Sequence, residues 1–280
     1  MSMKTRTPQE MSARYYAKLG SRIGYKLVMK KSQHFGFYDD QHQNEDLAQE
    51  KYHENINELL DLKPGMTVLD AGCGQGVVGC YLAAKNDIQL TGITITPHEV
   101  KSASNRAKEW GVEEKARFLL ADYAKTPFED ATFDRIYTTE SLSHAPDVNQ
   151  VIKELARILK PGGKVVFAEY EMHHKDFDTE MARLAEIIKN HAAIHGVYQF
   201  GKGEFAETLK SNKLKLLNEH DWTKNVKPSF DRLRRLARPL AWIVKKTRQE
   251  ARFVNTVAAA MYSDGVEVGV FAYKVYVAKK

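Results

Sequence analysis

The segment Asp70-Ala-Gly72-Cys-Gly74-Gln-Gly76 puts one carboxylate and three glycines within a single short loop. Glycines at alternate positions let a chain turn tightly and let a ligand approach the backbone within contact distance. A carboxylate heading such a loop can orient it or meet a cationic, amino-acid-like group. The run Gly74-Gln-Gly76-Val-Val-Gly79 also satisfies the GxGxxG pattern of dinucleotide sites, which need a further acid about 20 residues on for the ribose. Thr94 stands there instead, so a dehydrogenase is the last of the readings. A second group is Glu140 and His144, four residues apart, which on a helical turn share one face as a candidate acid–base pair. Each has a plainer reading: Glu140 as a cap at a strand end, His144 as a turn residue before Ala145-Pro146.

These residues need rigid elements behind them. A helical stretch from Gln43 to Leu62 precedes the apolar run 66–72, a buried first strand, and a helix follows over 76–86. The runs 88–94, 116–122, 133–139 and 164–171 read as further strands, with a helix from Pro97 to Trp110 and another over 148–160 ending at Pro161-Gly162-Gly163. Runs 214–222 and 266–279 add two more. Strands alternating with helices predict an α/β chain: a doubly wound, seven-stranded, Rossmann-like sheet with helical cap insertions. Ligands of such sheets meet loops at the carboxyl ends of the strands. The expected organisation is an aromatic and basic N-terminal segment, 1–44, then one catalytic domain, 45–280, with cap insertions at about 176–211 and 223–264, all three segments placed around the ligand cleft.

In combination, VLDAGCGQG, ADYAKTPFEDATFDRIYTTES and LKPGGKVVFAEYE resemble the signature stretches of class I S-adenosylmethionine-dependent methyltransferases, over about residues 45–175. The resemblance implies that Asp70, Gly72, Gly74 and Gly76 hold the methionine part of the cofactor. It implies that Asp122 accepts the adenine amino group, with Tyr123 beside it. Most such enzymes carry an acid for the ribose hydroxyls at the end of the second strand. This chain has Thr94 there, as the cyclopropane fatty-acid synthases do, and Glu99 on the next helix could supply the carboxylate.

The stretch Glu140-Ser-Leu-Ser-His144-Ala-Pro-Asp147 resembles the sterol 24-C-methyltransferases, as does the aromatic–acidic pair Tyr170-Glu171; the cluster His34-Phe35-Gly36-Phe37-Tyr38 matches their Tyr/Trp/Gly-rich signature loosely. The implied reaction is methylation of an alkene carbon in an isoprenoid or sterol-like molecule. An alkene needs no prior deprotonation, only placement in line with the methyl. The carbocation formed can be stabilised by aromatic faces, Tyr38 among them, and a base then removes a proton. Glu140 or His144 could be that base, and Glu140 could instead balance positive charge. The alternative acceptor is a hydroxyl or amine of a polar metabolite, methylated on oxygen or nitrogen. A module that binds cofactor or lipid without catalysis is a third reading, opposed by the intact loop.

Composition narrows the partners. With 43% apolar and 28% charged residues the chain is that of a globular protein. No apolar stretch is long enough to span a membrane, the N-terminal residues carry no secretion-type apolar core, and the two cysteines form no metal or disulfide pattern. A cytoplasmic protein, with its oligomeric state open, is the expectation. His173 and His174 point opposite ways in a strand and lack a third ligand, so no metal is expected. The net charge of +6 is local: ten Lys and Arg against Asp231 and Glu250 between Lys224 and Arg252. No nucleic-acid motif accompanies it. At 100° per residue, Leu233, Leu236, Ala237, Leu240, Ile243, Val244 and Thr247 fall in one arc of about 140°, with Arg232, Arg234, Arg235, Arg238, Lys245 and Lys246 opposite. That basic amphipathic helix, about 228–252, either packs its apolar face internally or both roofs the acceptor pocket and touches an anionic membrane. Pro239 is expected to kink it or begin a second helix.

Overall fold

Helix α1 (Glu45–Leu60) starts where the sequence supplies a cap: the Asn44 side chain accepts from the amides of Asp46 and Leu47. It ends at Asp61, which is left-handed, just before Pro64-Gly65. The structure, a computed structural model, describes residues 32, 34–173, 176–192, 194, 196–199, 201 and 203–280. Expectations for residues 1–31 and for His174 lie outside the described residues.

Strand β1 (Thr67–Ala71) is buried on both faces, as its apolar run demands. Helix α2 (Val77–Lys85), β2 (Gln89–Thr94), α3 (Pro97–Glu109), β3 (Ala116–Leu120) and β4 (Phe133–Thr139) come next. Helix α4 (Val148–Ile158), capped by the Asp147 carboxylate on the Gln150 amide, buries Val148, Val151, Ile152 and Leu155, a 3.6-residue stripe. Burying each such side chain is worth about 1.5–3 kcal/mol. Strand β5 (Leu159–Met172) leads to α5 (Thr179–Ala192), α6 (Glu204–Ser211), β6 (Lys215–Asp221), α7 (Thr223–Lys246), α8 (Val254–Glu267) and β7 (Phe271–Lys279).

The sheet order is β3-β2-β1-β4-β5-β7-β6. The first five strands run parallel, and β7 inserts antiparallel between β5 and β6. The doubly wound, seven-stranded α/β expectation is met. The chain steps outward from β1 to β3 and returns to β4 on the other side of β1, so the topological switch point lies between β1 and β4.

Three boundaries differ from expectation. Strand β5 begins at Leu159, before Pro161-Gly162-Gly163. Leu159 pairs with Phe133 but Lys164 with Arg135, so the turn residues are extra residues held in a bulge of the strand. The final strand starts at Phe271 rather than 266, because the alternating apolar text there continues helix α8. Gly265 allows this: a Cβ on it would collide with the Phe271 ring. Helix α7 passes through Pro228 and Pro239 without a second helix beginning. Pro239 is exposed, so the carbonyl it leaves without an amide partner can turn to water.

Helices α5, α7 and α8 share one apolar cluster through Leu184, Ile188, Phe230, Leu233, Val257 and Met261. The apolar arc expected of α7 is split: Leu233 and Val244 are buried, while Leu236, Leu240 and Ile243 are exposed. No helix among the described residues is long and apolar enough to cross a membrane.

Candidate functional site

A cleft of about 1040 Å³, its open mouth included, lies at the carboxyl end of the sheet over the switch point. Its wall comes from the loops after four successive strands: Gly72–Gln75 after β1, Thr94–Thr96 after β2, Ala121–Tyr123 after β3, and Thr139–Ser141 with His144 and Pro146 after β4. Of the predicted residues, Gly72, Gly74, Thr94, Glu99, Asp122, Tyr123, Glu140 and His144 stand on this wall. His34 joins them from the N-terminal segment. Among the described residues, none of 176–211 or 223–264 lines this cleft directly, although Gln199 Nε2 donates to the carbonyl of Pro146 on its wall at 2.9 Å; helices α5, α7 and α8 pack on one another.

The glycine loop fits a ligand pressed against its backbone. Gly72 has φ 96° and a Cβ on it would lie 2.5 Å from Ser141 Cβ; Gly76 has φ 74° and would meet Ala103 Cβ at 2.7 Å. The Gly72 and Cys73 amides both donate to the Ile93 carbonyl, and the Arg106 guanidinium donates to the Gln75 carbonyl, so the loop is held from β2 and α3. Asp70 is buried beneath the loop rather than on the cleft wall, and its Oδ1 has no hydrogen-bond partner. Burial raises its carboxyl to about 7. An orphaned buried acceptor beside a glycine cradle fits a cationic ligand head such as the ammonium of S-adenosylmethionine. The Thr94 hydroxyl donates to Glu99 Oε2 at 2.7 Å, so these two residues form one polar unit on the wall. Asp122 Oδ1 accepts from the Ala124 amide at 2.8 Å, and the Tyr123 hydroxyl donates to the Ser141 carbonyl at 3.0 Å.

The opposite part of the wall turns on Glu140. It is left-handed, φ 51°, and its amide donates to the Ala168 carbonyl on β5. The backbone thus turns out of β4 and aims the side chain at the cleft. Its Oε1 accepts from the Phe35 amide at 2.9 Å and the Tyr273 hydroxyl at 3.0 Å. Burial pushes the carboxyl up to about 8, against the pull of those two donors, with Glu169 and Glu45 adding repulsion. Tyr273 lies 2.9 Å from the Tyr52 hydroxyl, and His34 stacks on Tyr52 with ring centroids 4.2 Å apart. His144 ends a 3₁₀ turn, Leu142–His144, four residues beyond Glu140 on the same wall.

Sequence reasoning missed Glu169 and Tyr273. Glu169 Oε1 accepts from Thr138 Oγ1 and from the Ser141 and Leu142 amides, all at 3.1 Å, fixing the turn that carries both acid–base candidates. The Tyr170-Glu171 pair stands out in the sequence, yet the residue before it does the holding; Tyr170 meets Ser143, and Glu171 takes the Tyr276 hydroxyl. Tyr38 does not reach this cleft. Its hydroxyl donates to Glu45 at 3.1 Å in a separate surface cleft with Lys224, Arg232 and Arg235, because the chain reverses between Gly36 and Asn44. His173 Nδ1 lies 3.1 Å from the Gly269 carbonyl, and no cluster of three metal-ligating side chains occurs among the described residues.

Residues 69–167 match the family model described as a methyltransferase domain. The chain is 31% identical over 209 residues to a sterol 24-C-methyltransferase of Schizosaccharomyces pombe, covering 74% of this chain and 54% of that protein. It is 29% identical over 199 residues to the 27-O-demethylrifamycin SV methyltransferase of Amycolatopsis mediterranei, covering 70% and 71%. The chain spans about half the length of other curated relatives that it matches. Among solved structures, the cyclopropane synthase MmaA2 of Mycobacterium tuberculosis superposes over 100% of both chains with a TM-score of 0.82 at 17% identity. That likeness concerns the fold.

Proposed function

We propose that the chain is a class I S-adenosylmethionine-dependent methyltransferase that methylates an alkene carbon of an isoprenoid or sterol-like small molecule, a reading supported by the match of residues 69–167 to the methyltransferase domain model. The bound cofactor supplies an electrophilic methyl group on a sulfonium. Asp70, the Gly72–Gly76 loop, Glu99 and Asp122 hold it at the carboxyl ends of β1, β2 and β3. The observation that carries the reading is Glu140: a half-buried carboxyl on the cleft wall, held through one oxygen and backed by Tyr52, Tyr273 and His34. With the cofactor held there, the acceptor's π-bond would take the methyl carbon as the sulfonium S–CH3 bond broke and its electron pair returned to sulfur, leaving S-adenosylhomocysteine and a positive charge on the neighbouring acceptor carbon. An ionised Glu140 lies on the wall to oppose that charge and then to take the proton whose loss restores a double bond. His144, four residues on, is the second candidate for that proton. The relative named as a sterol C-methyltransferase supports a carbon acceptor, while the rifamycin relative, named for an oxygen, sets the alternative.

The test is transfer of labelled methyl from S-adenosylmethionine to prenyl, squalene-type and sterol alkenes, beside hydroxylated polar metabolites. Label in a hydrocarbon product that survives ether and ester cleavage is expected. Label released by those treatments, and absent when the acceptor's hydroxyl is removed, would replace the carbon acceptor with oxygen.

A further inference from the structure

Helix α7 carries two apolar rows, and only one is spent on the core. Val226, Phe230, Leu233, Ala241 and Val244 are buried. Leu236, Leu240 and Ile243 are 57, 44 and 51% exposed, and Trp242 is 63% exposed. At about 100° per residue the outer three lie within an arc of about 60°, and Lys246, Arg235 and Trp242 flank that arc within a further 100° or so. We propose that this outer face docks the protein on an anionic phospholipid surface.

Arg232, Arg234 and Lys245 are engaged with Glu45, Asp264 and Glu180. Arg235, Arg238, Lys246, Arg248 and Arg252 form no ion pair among the described residues; Asp231 and Glu267, which line a groove with Arg235 and Arg238, are paired with Lys227, and Glu250 is buried and paired with Arg183 at 3.1 Å. Lys246 lies 5.0 Å from the centroid of the Trp242 ring and Arg252 5.6 Å from that of Phe253, each cation over an exposed aromatic. Leucine, isoleucine and tryptophan flanked by unpaired cations match the boundary between acyl chains and anionic headgroups. A nucleic-acid backbone offers the apolar row nothing to bury against. A two-fold pair of this chain would bring two positive rows together.

The same helix braces the segment that bonds to Glu140. Ser229 Oγ accepts from the Gly36 amide at 3.0 Å and the Phe230 ring meets Phe35 at 4.5 Å, while the Phe35 amide donates to Glu140. Docking therefore acts on the helix that braces the segment holding Glu140. The docking itself is independent of which acceptor is methylated.

The experiment is co-sedimentation of the full chain with phosphatidylcholine vesicles, with and without phosphatidylglycerol. Recovery should rise with the anionic lipid and fall with salt. Replacing Arg235, Arg238 and Lys246 together by Gln should weaken binding on the order of a hundredfold, roughly fivefold per cation. Replacing Leu236, Leu240 and Ile243 by Gln should weaken binding while leaving its salt dependence in place. Both variants should keep the melting shift produced by S-adenosylmethionine, which reports the folded cofactor site. Equal recovery on neutral and anionic vesicles, or unchanged recovery of both variants, overturns the proposal. So does retention on a DNA duplex, or self-association lost in the same variants, in place of vesicle binding.

Discussion

The Tyr273 hydroxyl donates to Glu140 Oε1 at 3.0 Å, tying the last strand of the chain to the turn after β4. The Phe35 amide uses the same oxygen. Oε2 is therefore the atom left to hold or release a proton. Because the Tyr273 proton is committed to Glu140, the Tyr52 hydroxyl at 2.9 Å must donate to Tyr273, and the chain of bonds has one direction.

That direction makes the pH dependence specific. With the Glu140 carboxyl near 8, its basic form grows as pH rises, so kcat/KM should climb through about pH 8 and then level off. Glu140→Gln should lower turnover by about a hundredfold or more and abolish the climb. Tyr273→Phe removes a donor that favours the carboxylate, so the midpoint should move to higher pH with a smaller loss of rate. A rate profile for Glu140→Gln that parallels the parent's would show that Glu140 is not the titrating group.

The parts of this site that are legible in the sequence are local ones. Parallel strands buried on both faces leave apolar runs, and a glycine loop between a strand and a helix is readable from a few residues, so β1 to β4 and Gly72 to Gly76 lie close to where the sequence puts them. Glu140 and His144 share one short turn and are found together. Tyr273 reaches Glu140 across 133 positions, and no local pattern marks it. Helix α7 hides its orientation for another reason: Leu233 and Leu236 are equally apolar, and only packing decides which is buried.

Cofactor binding should be linked to protons through Asp70. Burial holds that carboxyl near 7, so a cation brought beside it favours the ionised form. Affinity for S-adenosylmethionine should rise with pH up to about 7 and flatten above it. Calorimetry in buffers of different ionisation enthalpy should detect proton release at pH 6. Asp70→Asn should bind more weakly with a flatter pH dependence, and Asp70→Ala should erase the melting shift. An Asn variant with the parent's pH dependence would move the linkage to another group, with Glu169, also near 7, the next to examine.

Gly72→Ala tests the cradle. The new methyl would press on Ser141, whose Oγ donates to the Ala71 carbonyl at 2.9 Å, in a backbone conformation unfavourable to any side chain. A loss of about 1–3 kcal/mol is expected from the strained dihedral, with more from the collision. Adding Ser141→Gly should recover the collision part only, so the double variant should be more stable than the sum of the two losses. Additive losses in urea unfolding would mean that the two residues do not press on each other.

The last prediction concerns His34 and His53, whose Nε2 atoms lie 2.8 Å apart, so one of the two must donate and both cannot be charged without repelling each other. Burial lowers His34 to about 4 and His53 well below its ordinary value; the Phe35 carbonyl, accepting from His34 Nδ1, offsets only part of this. An unfolded histidine takes up its proton near 6.5, so between 6.5 and 4 the unfolded chain binds more protons than the folded one. Stability must then fall as pH drops through that window, by on the order of 3 kcal/mol for His34 alone. The raised carboxyls of Asp70, Glu140 and Glu169 act in the opposite sense, but they are common to parent and variant and cancel in the difference. His34→Phe keeps a ring to stack on Tyr52 and removes the titration. It should cost stability at pH 7, where the bond to His53 is lost, yet lose less than the parent between pH 7 and pH 5. Urea unfolding at those two pH values decides the matter, and equal losses in the two proteins would show that His34 does not titrate on unfolding.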